Sequence, residues 1–408
     1  MHRHRRIPGN AGQVWPFRGA RARRRSLGVG AAVSALVRPP VRIGPVTGLR
    51  RVLTDKRIRR LLVVTDAGVS EAGWADLVAA LILASNRKPV VWRGVHGCPG
   101  ETVVERCAQA YRSGRHDALV AVGGGSVIDA AKAAAGLLGE PGSPRLAQFE
   151  GLGQFTGAAP PVFAVPTTPG GAEVTAHAVI AGPHGRRYAV SGLGLRPSAV
   201  LLDPALAATA PREVVLDTAL DSLLHAIEAF FARAGTPVTS GLALRAVGRI
   251  TRSLQSVVDG QPGVSRELGF GCLLASVAMA NTNAGVVHAL GYPLTSEYGL
   301  SHGRANAVVA PAALSMLGGN DSERHGALLA AWHGRPAEVG AAFAALLDEL
   351  GVPTGLDTYC VPDGDLPRLA GLAATYRPVL ENTPVAVTKP ALLELYRRSW
   401  PAKVAAAT

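Results

Sequence analysis

Residues 118–133 read ALVAVGGGSVIDAAKA. An unbroken apolar run ends in three glycines, which lead directly into a segment of helical composition: a strand, a turn and a helix. Continuous apolarity, as opposed to alternation, marks a strand covered on both faces, as in a parallel sheet. The flanking chain repeats the unit. RRLLVVTDAG (59–68) and KPVVWRGV (88–95) read as strands, with helical GWADLVAALILAS (73–85) between them and TVVERCAQAYRSG (102–114) after them. PVFAVPTT (161–168) and SAVLLDPAL (198–206) add two more strands. Beyond about residue 210 strand signals almost vanish, and helical periodicity occupies 212–233, 239–258, 264–289, 303–317, 336–350 and 389–399. The expected architecture is an α/β N-terminal domain with a parallel, Rossmann-like sheet over 38–207, followed by an all-helical C-terminal domain over 208–408.

Bulk composition removes several function classes. The net charge of +13 suggests a nucleic-acid partner until it is located. Eight arginines and no acid lie within residues 1–25, so the other 383 residues carry only +5. The basic character belongs to a tail, 1–37, read as disordered. It is either a polyanion-binding segment or the product of a start codon assigned too far upstream; a secretion signal lacks its A-x-A site. No nucleic-acid partner is expected of the folded part. No run of eighteen apolar residues occurs, so no membrane span is expected. Cys98, Cys107, Cys272 and Cys360 form no C-x-x-C pair and read as free thiols of a cytoplasmic protein.

The chemistry-bearing residues fall in three places. Gly123, Gly124 and Gly125 allow close approach of an anion, and Ser126 with the following helix N-terminus supplies donors for phosphate oxygens. The turn is not G-x-G-x-x-G, and a tight ligand-free turn is an equal reading. Asp66 ends an earlier strand, where a carboxylate either holds a ribose diol or merely starts a turn. Asp221 and His225, one helical turn apart, share a face, and either bond to each other or provide two metal ligands. His288 and His302, fourteen residues apart in GVVHALGYPLTSEYGLSH, complete an N/O donor set suited to Fe²⁺ or Zn²⁺.

Taken together, the blocks AVGGGSVIDAAK, VPTTPGGAEVTAHAVI, LDPAL, LDSLLHAIEAF, GVVHALGYPLTSEYGLSHGRANAVVAP and ENTPVAVTKPALLELY resemble the iron-containing (group III) alcohol dehydrogenase family, over about residues 40–400. The fold is shared with dehydroquinate synthase. The resemblance implies metal ligation by Asp221, His225, His288 and His302. It implies nucleotide binding by Gly123, Gly124, Gly125 and Ser126, with Asp129 and Lys132 on the next helix and Thr167 and Thr168 on a second turn. It also implies NAD preference at Asp66, with NADP as the alternative, and a homodimer. Three departures stand out: PTTPGGAE is one residue shorter than the family's P-T-T-x-G-T-G-S-E, Tyr292 replaces a histidine used by many relatives, and T-S-E follows Pro293-Leu294.

The activity implied is a metal-dependent, NAD(P)-linked interconversion of a small aldehyde and its alcohol; Tyr292 and His177 are candidates for lining the substrate pocket, with core or surface packing an equal reading of both. The alternative is a reductase of an acidic substrate, of the phosphonoacetaldehyde or maleylacetate type, whose anionic group Arg187 or Arg304 receives. Glycerol oxidation and dehydroquinate synthase chemistry are further options on the same fold, and a non-catalytic polyanion-binding protein is the option outside enzymes.

Overall fold

The computed structural model describes residues 38–400, apart from 143, 152, 169, 184–185, 208, 260–265, 318–321 and 333–337. The basic tail expected over 1–37 lies outside the described residues. Six strands form one parallel sheet: β1 (Val41–Ile43), β2 (Arg60–Asp66), β3 (Lys88–Val95), β4 (Ala118–Gly123), β5 (Val162–Pro166) and β8 (Ala199–Leu202). Their order is β1-β8-β5-β4-β2-β3. Two strands that the sequence reading missed, β6 (His177–Ala181) and β7 (Arg187–Ser191), pair antiparallel as a separate hairpin.

The continuous apolar strands behave as two-sided core. Leu61, Val63, Val120, Val122 and Val165 point to one face, where helix α1 (Trp74–Ala84) supplies Val78 and Ile82. Leu62, Val64, Leu119, Ala121 and Ala164 point to the other, against α2 (Glu101–Ser113) and α3 (Gly125–Gly139). After β3 the chain crosses to the opposite side of β2 to form β4. The carboxyl ends of β2 and β4 therefore flank a switch point, the place where open parallel sheets leave a crevice for ligands.

The helical half comprises α4 (Arg212–Phe231), α5 (Pro237–Val258), α6 (Arg266–Ala280), α7 (Val286–Tyr298), α8 (His302–Leu317), α9 (Ser322–Ala331), α10 (Val339–Glu349), α11 (Leu366–Ala373), α12 (Arg377–Asn382) and α13 (Lys389–Ser399). α4 is buried along most of its length and forms the hub of one large apolar core. The helix expected over 264–289 is in fact two, α6 and α7. Asn283 adopts φ +78° and Gly285 caps α7 in a non-helical conformation, so the backbone breaks between them. The apolar period carries through because both helices bury into the same core. Among the described residues, no helix is long and apolar enough to cross a membrane.

Lys132 fastens the segment after β5 to α3. Its fully buried ammonium donates to the Ala172 carbonyl at 2.8 Å and the Thr175 hydroxyl at 3.1 Å, and pairs with Asp129 at 3.4 Å. Replacing it by alanine strands the buried Asp129 carboxylate. Lys132→Ala is expected to cost about 3 kcal/mol or more of stability, read as a lower urea midpoint at unchanged slope.

Candidate metal and nucleotide site

Two stretches of a single cleft meet at Gly125, Ser126 and Thr168. The outer stretch is lined by Asp66, Gly124, Gly125, Ser126, Thr167 and Thr168. β4 ends at Gly123, and α3 begins two residues later with Gly125 and Ser126 of its first turn lining the cleft. Space here forbids side chains: a Cβ on Gly124 would come within 2.7 Å of Thr168 Oγ1, and one on Gly123 within 2.5 Å of Val127. Gly123 itself is buried beneath the turn. Asp66 starts a turn, the simpler of its two expected readings. It lines the cleft, and its Oδ1 also accepts from Val69 N–H at 2.8 Å, starting a short helical turn.

Asp129 and Lys132, expected beside the nucleotide, part company: Asp129 lines the inner stretch of the cleft next to Gly125 and Ser126, whereas Lys132 does not line it. Asp129 accepts from Val179 N–H at 3.0 Å, anchoring the β6–β7 hairpin to α3. Lys132 lies below the turn, with its ammonium on Ala172 and Thr175 and not in the cleft. The shortened PTTPGGAE segment is thus held from beneath. Glu173, buried, accepts from Gly171 N–H at 2.9 Å, and Gly171 has φ +105°, which an L side chain rarely adopts.

The inner stretch contains the four expected ligands. α4 presents Asp221 and His225, α7 presents His288, and α8 opens with His302. One ligand atom each from Asp221, His288 and His302 lies within 4.8 Å of the others. His288 Nε2 is 3.5 Å and His302 Nε2 3.8 Å from Asp221 Oδ1, while His225 Nε2 is 3.7 Å from Asp221 Oδ2. The His225 and His288 rings stack at 4.8 Å. His288 Nε2 is buried with no hydrogen-bond partner, 3.5 Å from the shared carboxylate. Converging nitrogens around one carboxylate, without thiolates, fit a divalent ion such as iron or zinc.

The electrostatics agree with that fit. Burial pushes the Asp221 carboxyl up, but His225, His302 and His288 outweigh it and hold it well below the usual carboxylate range. Burial disfavours the charged form of His302 and pulls its pKa down to about 4, against the attraction of Asp221. Burial acts the same way on His288, yet Glu228 and Asp221 overcome it and hold its pKa up at about 10. Two buried carboxylates thus face a cluster in which burial shifts His225 and His302 toward the neutral form, the form that ligates metal.

Two contributors escaped the sequence reading. Glu228, one helical turn beyond His225, is fully buried and accepts from Gly285 N–H at 2.9 Å, Val287 N–H at 2.7 Å and His288 Nδ1 at 2.5 Å. It fixes the His288 ring with Nε2 toward Asp221, as carboxylates behind metal-binding histidines do. Asn306, one turn after His302, donates to Asp221 Oδ1 at 2.8 Å. Gly291 makes room for it, since a Cβ there would meet Asn306 Oδ1 at 1.8 Å. Helical spacing pointed to both, because 221, 225 and 228 share a face, as do 302 and 306.

The substrate-pocket candidates also reach the cleft. Tyr292 packs between His302 and Tyr376, with ring separations of 5.5 and 4.7 Å. His177, on β6, lines the same wall, and burial lowers its pKa to about 3. Arg304 does not serve as expected. Its guanidinium is engaged by Asp217 at 2.8 Å and Glu213 at 2.9 Å, bracing α8 against α4.

The family model described as iron-containing alcohol dehydrogenase matches residues 41–204, and that of the Fe-containing alcohol dehydrogenase C-terminal region matches 215–400. The chain belongs to the iron-containing alcohol dehydrogenase family, oxidoreductases acting on CH–OH groups. It is 36% identical over 333 residues to the 4-hydroxybutyrate dehydrogenase of Cupriavidus necator, covering 77% of this chain and 85% of that protein. Aldehyde-alcohol dehydrogenases of Streptococcus pneumoniae match at 32% identity over 62% of this chain, which spans only 30% of their length. A solved 1,3-propanediol oxidoreductase superposes with a TM-score of 0.83 at 26% identity, over 90% of this chain and 99% of that one.

Glu228→Gln keeps the shape of the side chain and removes its charge. It is expected to weaken divalent-metal affinity roughly 10–100-fold, measured by competition with a chromogenic chelator, while far-UV circular dichroism is retained.

Proposed function

We propose that this chain is a metal-dependent, NAD(P)-linked alcohol dehydrogenase or aldehyde reductase, with Asp221, His225, His288 and His302 as the metal ligands. The observation that carries this reading is the continuity of the cleft. A glycine turn suited to phosphates lies at one end, and a carboxylate-centred cluster of imidazoles lies at the other.

Each residue then has a physical task. The turn Gly124-Gly125-Ser126 and the start of α3 bind the cofactor's phosphates through backbone N–H groups and the serine hydroxyl. Thr167 and Thr168 wall the opposite side. Asp66 retains one carboxylate oxygen beyond its capping bond, enough to accept from a ribose diol and to repel a 2′-phosphate, which favours NAD over NADP. A nicotinamide cofactor held at the glycine turn would supply hydride-transfer chemistry, and iron (or zinc in its place) held by Asp221, His225, His288 and His302 would supply Lewis-acid stabilisation of charge on the substrate oxygen. Burial raises the Tyr292 hydroxyl well above its ordinary pKa, so at neutral pH it donates a hydrogen bond and is no base. His177 is too weakly basic for the same reason. The substrate's proton is therefore left to solvent or to the cofactor's ribose hydroxyl.

Two outcomes test the reading. Purified protein is expected to carry about one equivalent of iron or zinc, and chelation is expected to remove NADH-dependent aldehyde reduction, with re-addition of Fe²⁺ or Zn²⁺ restoring it. Activity that survives complete metal removal would exclude the mechanism. Asp66→Gly should narrow the preference for NADH over NADPH, measured as the ratio of kcat/KM; an unchanged ratio would exclude the role assigned to Asp66.

A further inference from the structure

The charged groups of the inner cleft are, with one exception, already engaged. Asp129 is held by Lys132 and Val179 N–H. Asp217 is held by Arg304 and the Ser301 hydroxyl. Asp221 is surrounded by three imidazoles and the Asn306 amide. The exception is Arg187, which lines the same wall as His288, Tyr292 and His302. Its backbone pairs within the hairpin, but among the described residues its guanidinium has neither a hydrogen-bond nor an ion-pair partner.

Its position is set by strand geometry. On the β6–β7 hairpin, Arg187 pairs with Ala181, Ala189 with Val179 and Ser191 with His177. Paired residues share a face, so Arg187 projects on the side of Val179 and His177, both of which line the cleft. The intervening Ala178, Ile180, Tyr188 and Val190 are buried in the core against α3 and hold that orientation. The adjacent Arg186 is unlike it, being exposed and paired with Glu150. Arg187 also acts electrostatically on Tyr292, His302 and Tyr376, so its charge reaches the substrate end.

A half-buried guanidinium without a counter-charge is a standing cost, offset when a ligand brings the missing anion. Its planar fork matches carboxylate, sulfonate and phosphonate oxygens in a two-pronged hydrogen bond. We propose that Arg187 is the specificity residue of this site, and that the substrate is a short aldehyde or alcohol carrying such an anionic group at the end remote from the reacting carbon. The assignment rests on the dehydrogenase reading above and narrows its substrate class.

The test compares initial rates of the metal-loaded full chain with NADH. Succinic semialdehyde, sulfoacetaldehyde and phosphonoacetaldehyde are set against butanal and propanal, for the wild type, Arg187→Met and Arg187→Lys. At least one anionic aldehyde is expected to exceed its neutral counterpart about 100-fold in kcat/KM, and which one identifies the anion. Arg187→Met should collapse that ratio toward one, chiefly through KM, and Arg187→Lys should recover part of it because the charge returns without the fork. A wild type that reduces only the neutral aldehydes overturns the assignment and leaves the dehydrogenase reading standing. A Met variant that loses both classes equally, or whose KM for NADH rises, overturns it too, since the arginine then serves the fold or the cofactor. No turnover of either class overturns the dehydrogenase reading and the assignment together.

Discussion

The buried carboxylate of Glu228 is the contact on which the site's geometry depends. It sits in the last turn of α4 and receives N–H groups from the start of α7 together with the His288 ring. A carboxylate out of reach of water is costly unless every lone pair is used, so these three donors must converge where Glu228 places them. One side chain thereby fixes the break between α6 and α7, the start of α7 and the direction of His288 Nε2. Asn382 completes the junction from α12, donating to the carbonyls of Asn283 and Ala284 at 3.1 and 2.9 Å. That asparagine lies in the ENTPVAVTK segment, far along the chain from the cluster it supports.

The second constraint ties the two halves of the molecule together through the segment 166–175. Lys132 and Glu173 secure it from the sheet side, and Gly171 brings its backbone up against α4 and α6. A Cβ on Gly171 would lie 3.7 Å from His225 and 3.4 Å from Met279. Val174 and Leu202 pack with Leu273 and Val277 in a small apolar seam between the sheet and the helices. The glycine turn and the imidazole cluster are in this way held on a common scaffold. Their spacing follows from side chains packed around that connecting segment, which suits a reaction that needs two reactants aligned.

The strands around the glycine turn and the long helices were legible because buried parallel strands and amphipathic helices leave unambiguous periods. The four ligand candidates were legible from D-x-x-x-H and the two later histidines, given the blocks around them. Features held by single tertiary hydrogen bonds were harder to read. The break at NTNAG interrupts no apolar pattern, so 264–289 reads as one helix although Asn and Gly there are helix breakers. The short hairpin strands, with GPHG between them, carry a turn signal but too few residues for a clear alternation. Arg304 and Arg187 look equivalent in one dimension. Only the positions of Asp217 and Glu213 show that the first is engaged.

The most direct measurement is anomalous diffraction, above and below the iron and zinc edges, from crystals of the metal-loaded protein. A single peak is expected about 2.0–2.2 Å from an Asp221 oxygen and from one nitrogen each of His225, His288 and His302, with Glu228 outside bonding distance. A peak at other residues, or none at this cluster in protein that contains stoichiometric metal, would contradict the assignment.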